Sequence, residues 1–325
     1  MIEQKNYGVI NEIKPSDWVS GVNSKIVWKD VLGTDKWKNH LQATENQCYH
    51  TNYKFETYSC VNFTVLKIIS NQCNLFLHNN LIPEYQLNLL KGWNYIINNS
   101  FNFSEPHNAV LTKTSYEEDT VKGNSATTVW DTTRKIGVIP QEMCDREAVK
   151  TVEEWYGPLT QEQIDFGKNF LKVFNINYEF VVSSVCSAPK SDFIKKQLQQ
   201  SPLQMLAHCG TSQVDGIIYN EDCETQHSTE LYDVDENENR LQFDQYEPYF
   251  NKLSKNYVIP YLVKGVITLK TEEETKALME GTSTLTNKEQ QISIIKKLLA
   301  LYWQVIALMK KTSGFVGSVI NKIKK

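Results

Sequence analysis

A cysteine, a histidine and a carboxylate stand in this chain in the three local contexts that thiol chemistry needs. Cys60 lies where a turn-like stretch, Glu56-Thr57-Tyr58-Ser59, meets the apolar run Val61-Asn62-Phe63-Thr64-Val65-Leu66-Lys67-Ile68-Ile69. A helix that begins at Cys60, with Ser59 as its N-cap, aims its positive end at the sulfur. That device lowers a cysteine pKa by whole units, and the thiolate is the nucleophile. The competing reading is a buried structural thiol, a common fate of free cysteine.

The second group is His227, at the head of the stretch through Val234. Asp235-Glu236-Asn237-Glu238-Asn239 is a turn by composition, and Arg240 to Tyr246 reads as a returning strand that ends at Glu247-Pro248. A histidine early on one strand and a carboxylate late on the next come out side by side. The imidazole pairs with a thiol only if a third group fixes its tautomer, and Asp244 is placed to accept the N–H that faces away. A lone histidine on a strand is usually structural. That reading loses force when cysteine, histidine and carboxylate each occupy the element the chemistry requires.

With these residues on the page, the chain resembles the papain-like cysteine peptidases, and more closely the papain-like domains encoded by tailed bacteriophages, over most of residues 8–270. The motifs are Glu45-Asn46-Gln47, Glu56 to Phe63 around the cysteine, Gly123-Asn124-Ser125, Asp131 to Pro140, Trp155-Tyr156, Ser201-Pro202-Leu203, His227, and Asp244-Gln245-Tyr246-Glu247-Pro248. The resemblance implies hydrolysis of an amide bond in a protein or peptide, without a cofactor or metal. Cys60 attacks, His227 shuttles the proton and Asp244 orients the ring. It also implies a glutamine at the oxyanion hole, helping the Cys60 backbone N–H. Here the sequence departs from the family. The glycines and tryptophan around the nucleophile are absent, and Asp244 replaces the more usual asparagine. The nearest glutamine, Gln47, lies thirteen positions upstream, with Lys54 and Glu56 in the nearer stretch. These departures keep open a second class of function, a catalytically weak or inactive papain-like module that serves as a structural or docking protein of a phage particle. A phage origin would place the protein in the host cytoplasm during assembly, and in the virion if it is packaged.

Composition sets outer limits. The 325 residues, 41% apolar and 11% aromatic, are enough for a substantial core, and a net charge of −4 with a pI near 5.9 gives no broad nucleic-acid surface. Seven cysteines form no paired CxxC spacing and leave an odd one, which argues against a zinc site or disulfide framework and for a reducing compartment. The start, Met1-Ile2-Glu3-Gln4-Lys5, has no apolar signal core.

The elements that must hold the three groups follow from periodicity. The expected fold is α+β and papain-like in two lobes: a helical lobe carrying Cys60, an antiparallel β lobe carrying His227, and an appended C-terminal helix. Residues 1–50 read as an arm with Trp18, Trp28 and Trp37; 51–270 as the papain-like domain; 271–287 as a polar linker; 288–325 as a C-terminal amphipathic helix. The Cys60 helix is apolar nearly all round through Phe76 and must be central. Thr160 with Gln163 forms a capping box that starts a helix through Phe174. In the last segment Ile295, Leu298, Tyr302, Val305 and Met309 form a coiled-coil-like stripe. It reads first as a docking face for other virion proteins or a sister subunit, and second as an interfacial membrane helix; its apolar run is too short to span a bilayer.

Overall fold

The computed structural model describes residues 9–10, 19, 26, 28–49, 55–117, 121–146, 148–182, 187–207, 212–220 and 226–281. Trp18, Cys186, Cys209, Cys223 and the C-terminal helix expected over 288–325 lie outside them. The chain divides into two units, Met1–Glu272 and Glu273–Lys325.

In chain order the first unit contains β1 (Cys48–Tyr49), β2 (Phe55–Glu56), α1 (Cys60–His78), α2 (Glu84–Gly92), β3 (Ile96–Ile97), β4 (Ser100–Phe101), α3 (Glu105–Leu111), α4 (Ala126–Ile136), α5 (Val152–Trp155), α6 (Gln161–Phe166) and α7 (Lys168–Val173). A β-rich half follows: β5 (Phe174–Val182), α8 (Ser191–Leu198), β6 (Leu203–Ala207), β7 (Ser212–Val214), β8 (Ile217–Tyr219), β9 (His227–Val234), β10 (Arg240–Phe243), β11 (Phe250–Leu253) and β12 (Tyr261–Leu269). Eight of these strands form one sheet in the order β5-β12-β6-β9-β10-β11-β8-β7. All neighbours are antiparallel except β11 and β8.

Helix α1 is central to the first unit. Every residue from Cys60 to Phe76 is buried, as a helix apolar on all faces requires. Val65, Leu66, Ile69 and Phe76 share one core with Trp130 of α4, Phe174 and Ile176 of β5, and Val263 and Ile267 of β12. Each fully buried side chain of this size contributes about 1.5–3 kcal/mol. The polar residues of α1 are buried as well, and several of them stitch the helix to neighbouring elements. Gln72 donates from Nε2 to the Gly265 carbonyl at 2.9 Å and accepts from the Ile267 amide at 3.0 Å. Gly265 is glycine for a packing reason: a Cβ there would stand 2.0 Å from the Trp130 ring.

Four local differences from expectation appear. The helix expected from Thr160 to Phe174 does begin with the Thr160–Gln163 capping box, but it divides at Gly167 into α6 and α7, and Phe174 opens β5. A Cβ on Gly167 would meet the Ile136 carbonyl oxygen at 2.7 Å, so the break marks a close backbone approach. The strand expected over Arg240–Tyr246 ends at Phe243. Ser59 occupies the N-cap of α1 without bonding a helix amide; its hydroxyl pairs instead with Thr57 Oγ1 at 2.7 Å. Residues 272–281, at the start of the segment read as a polar linker, are helical.

Candidate active site

Two strands and a turn set His227 against Asp244. His227 is the first residue of β9, in register with Ala207 of β6. The hairpin to β10 closes through Asp235, whose amide donates to the Asn239 carbonyl at 2.8 Å. Its Oδ1 accepts the Asn237 and Asn239 amides at 3.0 and 2.8 Å. β9 and β10 pair with a register shift at Leu241/Gln242, which brings Phe243 opposite Glu230. Asp244 follows directly, its amide held by the Tyr249 carbonyl at 2.7 Å. The imidazole Nε2 of His227 then lies 2.7 Å from Asp244 Oδ1.

Asp244 is equipped to stay ionised. Its Oδ1 also accepts the Gln245 amide at 2.7 Å, and its Oδ2 accepts from Gln242 Nε2 at 3.2 Å. Burial pushes its carboxyl up, but the His227 charge and hydrogen bond, the Lys67 ammonium and the Gln245 amide together hold it below the usual carboxylate value. An ionised carboxylate only accepts, so Nε2 carries the proton and the lone pair of neutral His227 is on Nδ1.

Cys60 is the first residue of α1 and is fully buried. One side chain ties it to the histidine strand. Gln245 Nε2 donates to the Cys60 carbonyl at 3.0 Å and to the carbonyl of Ser228, next to His227, at 2.7 Å. Thr64, one turn along α1, sets its hydroxyl 2.8 Å from the same two carbonyls.

Gln47, the residue read as an oxyanion donor, is fully buried beside this assembly. Its amide N–H donates to the Gln245 carbonyl at 3.0 Å, and Thr57 Oγ1 donates to its own carbonyl at 3.1 Å. Its carboxamide Nε2 donates to Glu56 Oε1 at 2.5 Å. The other Glu56 oxygen accepts the Tyr246 hydroxyl, and the Tyr246 ring stands 5.3 Å from that of His227. Gln47 is thus linked through Glu56 and Tyr246 to the neighbourhood of His227, and one hydrogen of its carboxamide is committed to a carboxylate.

A buried cation lies behind the carboxylate. Lys67 Nζ donates to the Asp244 backbone carbonyl at 2.7 Å and sits 3.9 Å from the Phe243 ring centroid. Burial drives the Lys67 ammonium down, while Asp244, Glu230, Glu45 and Glu105 oppose that shift. Glu230 receives Asn71 Nδ2 on both oxygens at 2.8 Å, and burial pushes its carboxyl up to about 8.

Sequence reasoning brought Cys60, His227, Asp244 and Gln47 forward but missed the parts that join them: Gln245, Glu56, Tyr246, Thr64 and Lys67. Glu56, Gln245 and Tyr246 stood inside the quoted motifs without a role, and Lys67 was an ionisable residue inside an apolar helix seven residues after the cysteine. Among the described residues no three His, Cys, Asp or Glu side chains converge as metal ligands. No helix among them is long and apolar enough to cross a membrane.

Comparison with solved structures places the fold. Xylellain, a cysteine protease from Xylella fastidiosa, superposes with a TM-score of 0.51 at 13% identity, covering 82% of this chain and 97% of its own. The fold is papain-like. Two proenzymes are similar at lower scores. Procathepsin L 3 of the Tenebrio molitor larval midgut gives a TM-score of 0.47 at 12% identity, covering 80% of this chain and 76% of its own. Procathepsin B S9 from Trypanosoma congolense gives 0.48 at 10% identity, covering 82% and 88%. No protein-family model and no curated protein matches the sequence. The expected helical lobe before a large sheet lobe is the architecture found. It puts Cys60 at the head of the central helix and His227 at the head of a sheet strand.

Proposed function

We propose that the protein is a papain-like thiol hydrolase that cleaves an amide bond. The observation that carries the reading is the 2.7 Å His227–Asp244 pair on a strand that Gln245 clamps to the Cys60 carbonyl. With Nε2–H held by Asp244, Nδ1 of His227 takes the Cys60 thiol proton. The thiolate then attacks the scissile carbonyl carbon and a C–S bond forms. The oxyanion develops against the first-turn amides of α1, with Gln47 as the second donor. His227 returns its proton to the leaving amine as the C–N bond breaks. Water, deprotonated by His227, then hydrolyses the thioester and regenerates Cys60.

A second reading has its own support. Cys60 is fully buried, His227 nearly so, and Gln47 gives one carboxamide hydrogen to Glu56. A closed site of this kind suits a module kept for docking. The sequence resemblance adds a phage origin and a place in the particle, with residues 288–325 as the contact to virion proteins or to a second copy. Labelling by a thiol-directed electrophile at mildly acidic pH separates the two readings. Selective modification of Cys60 among seven cysteines, together with turnover of peptide substrates, is the outcome for an enzyme; uniform slow labelling without turnover is the outcome for a docking module. Mass spectrometry of purified particles tests the virion assignment separately.

A further inference from the structure

Glu56 stands inside the site but takes no part in the steps assigned above. It ends β2, and antiparallel pairing with β1 sets it opposite Cys48, beside Gln47. Its half-buried carboxylate collects three donors. Oε1 accepts Gln47 Nε2 at 2.5 Å and the Tyr58 amide at 2.9 Å, and Oε2 accepts the Tyr246 hydroxyl. Burial and the Glu56 carboxylate both push the Tyr246 phenol up, so it stays protonated and donates.

Each partner leads to a different part of the chemistry. Tyr58 stands two residues before Cys60 with φ at 55°, a left-handed backbone that a bulky residue seldom adopts. Strain of that kind persists only where neighbouring groups hold it, and the Glu56 bond to the Tyr58 amide is one such hold. The Tyr246 ring stands 5.3 Å from that of His227. Gln47 supplies a carboxamide, whose two ends differ only in chemistry: one accepts and the other donates. An oxyanion needs the donor. Turned over, the Gln47 carboxamide would set its oxygen against the Glu56 carboxylate, so the carboxylate selects the orientation that puts Nε2 there. The second Nε2 hydrogen, fixed in the same plane, is the one that would serve the oxyanion.

We propose that Glu56 is a positioning residue for the hydrolysis, holding the donor end of the Gln47 carboxamide on the same oxygen that holds the turn into Cys60. The inference rests on the hydrolase reading with Gln47 as the second oxyanion donor. Glu56 touches no substrate in this role and acts through Gln47. Tyr246, on the other carboxylate oxygen, braces Glu56 against rotation. Losing an oxyanion donor costs about 10²–10³ in rate, so a residue that orients the donor commands a large part of that factor.

The test is a double-mutant cycle on the full chain. Turnover is measured with the best substrate from a peptidyl-aminomethylcoumarin library, and alkylation of Cys60 by iodoacetamide is followed by mass spectrometry. The variants are Gln47→Met, Glu56→Met, Glu56→Ala and each Glu56 change combined with Gln47→Met, with melting curves to verify folding. Gln47→Met should lower kcat by about 10²–10³-fold. Either Glu56 change alone should lower it by about 10²-fold. Added to Gln47→Met, the Glu56 change should cost less than about twofold more, because the group it orients is gone. Alkylation draws on the thiolate and forms no oxyanion, so the Glu56 variants should stay within about threefold of the parent. Losses that multiply in the double variant overturn the proposal, and so does an unchanged kcat in a folded Glu56 variant. Alkylation that falls in step with turnover overturns it too, because Glu56 then acts on the thiol itself. If one Glu56 variant fails to fold, the other decides; if Gln47→Met fails, the split between turnover and alkylation decides. A parent without turnover removes the hydrolase reading and this inference together, whereas an active parent that fails these comparisons removes the inference alone.

Discussion

Gln245 Nε2 reaches the Cys60 carbonyl at 3.0 Å and the Ser228 carbonyl at 2.7 Å, so this carboxamide, together with the Thr64 hydroxyl, joins the Cys60 helix to the His227 strand. The residue follows Asp244 directly, and its own amide holds the Asp244 carboxylate. The Gln245 side chain therefore joins two parts of the site, and its backbone amide holds the third. Gln245→Ala should leave two buried carbonyls without that donor, at a cost of about 1–3 kcal/mol. On the proposed reading it should also lower kcat. Thermal melting and steady-state kinetics check both parts. A variant of full stability and full kcat would show that the clamp is dispensable.

Cys60→Ala should abolish hydrolysis and leave the melting temperature within a few degrees of the parent. The thiol is buried at a helix start where alanine fits without strain, and alanine favours the helix. Undiminished turnover in the purified variant would remove the assignment.

The Asp244 carboxyl is held below its ordinary value in the folded protein. Its ionic contribution to stability is then complete above the unfolded value near pH ~4. It is lost as the pH falls through the lower folded value. Asp244→Asn should be less stable than the parent at neutral pH and should show a flatter decline toward acid. Melting curves from pH 7 to pH 2 measure this. Parallel declines in the two proteins would mean that Asp244 does not supply the acid dependence.

Lys67→Met tests the buried cation. The substitution keeps the length of the side chain and its contact with Phe243 but removes the donor to the Asp244 carbonyl and the charge facing Glu230. Breaking a buried charge arrangement from one side costs about 3–5 kcal/mol. Because Lys67 is one of the groups holding the Asp244 carboxyl down, the acid limb of the stability profile should also move to higher pH. Chemical denaturation at several pH values reads both effects, and an unshifted acid limb would separate Lys67 from Asp244.

How much of this was legible follows from range. The Cys60 helix was readable because burial on every face leaves a continuous apolar run, and the β9–β10 hairpin because Asp235 to Asn239 is turn chemistry in local sequence. The hairpin brings His227 and Asp244 to neighbouring positions, and the register shift at Leu241/Gln242 and the Tyr249 carbonyl, neither readable locally, complete the pairing. Gln245, Glu56 and Lys67 were not legible as site residues, because each acts through a partner far away in sequence, Cys60, Tyr246 and Asp244 respectively. The break at Gly167 was hidden for the same reason, since it answers to Ile136 across the fold rather than to its own helix.

The last prediction concerns the segment after Gly281. Its stripe of Ile295, Leu298, Tyr302, Val305 and Met309 is more apolar than a surface helix should leave bare. Burying five such side chains against a partner gains about 1.5–3 kcal/mol each before ordering costs are subtracted. A chain ending at Gly281 keeps α1 and the eight-stranded sheet, and with them Cys60, His227, Asp244 and Gln245. It should therefore melt cooperatively and label at Cys60 like the full chain. It should also sediment as a smaller species and fail to enter particles. Sedimentation velocity on both lengths reads the first effect, and particle composition after complementation reads the second. If the shortened chain instead unfolds or precipitates, the segment belongs to the core of the protein and its role in assembly is lost.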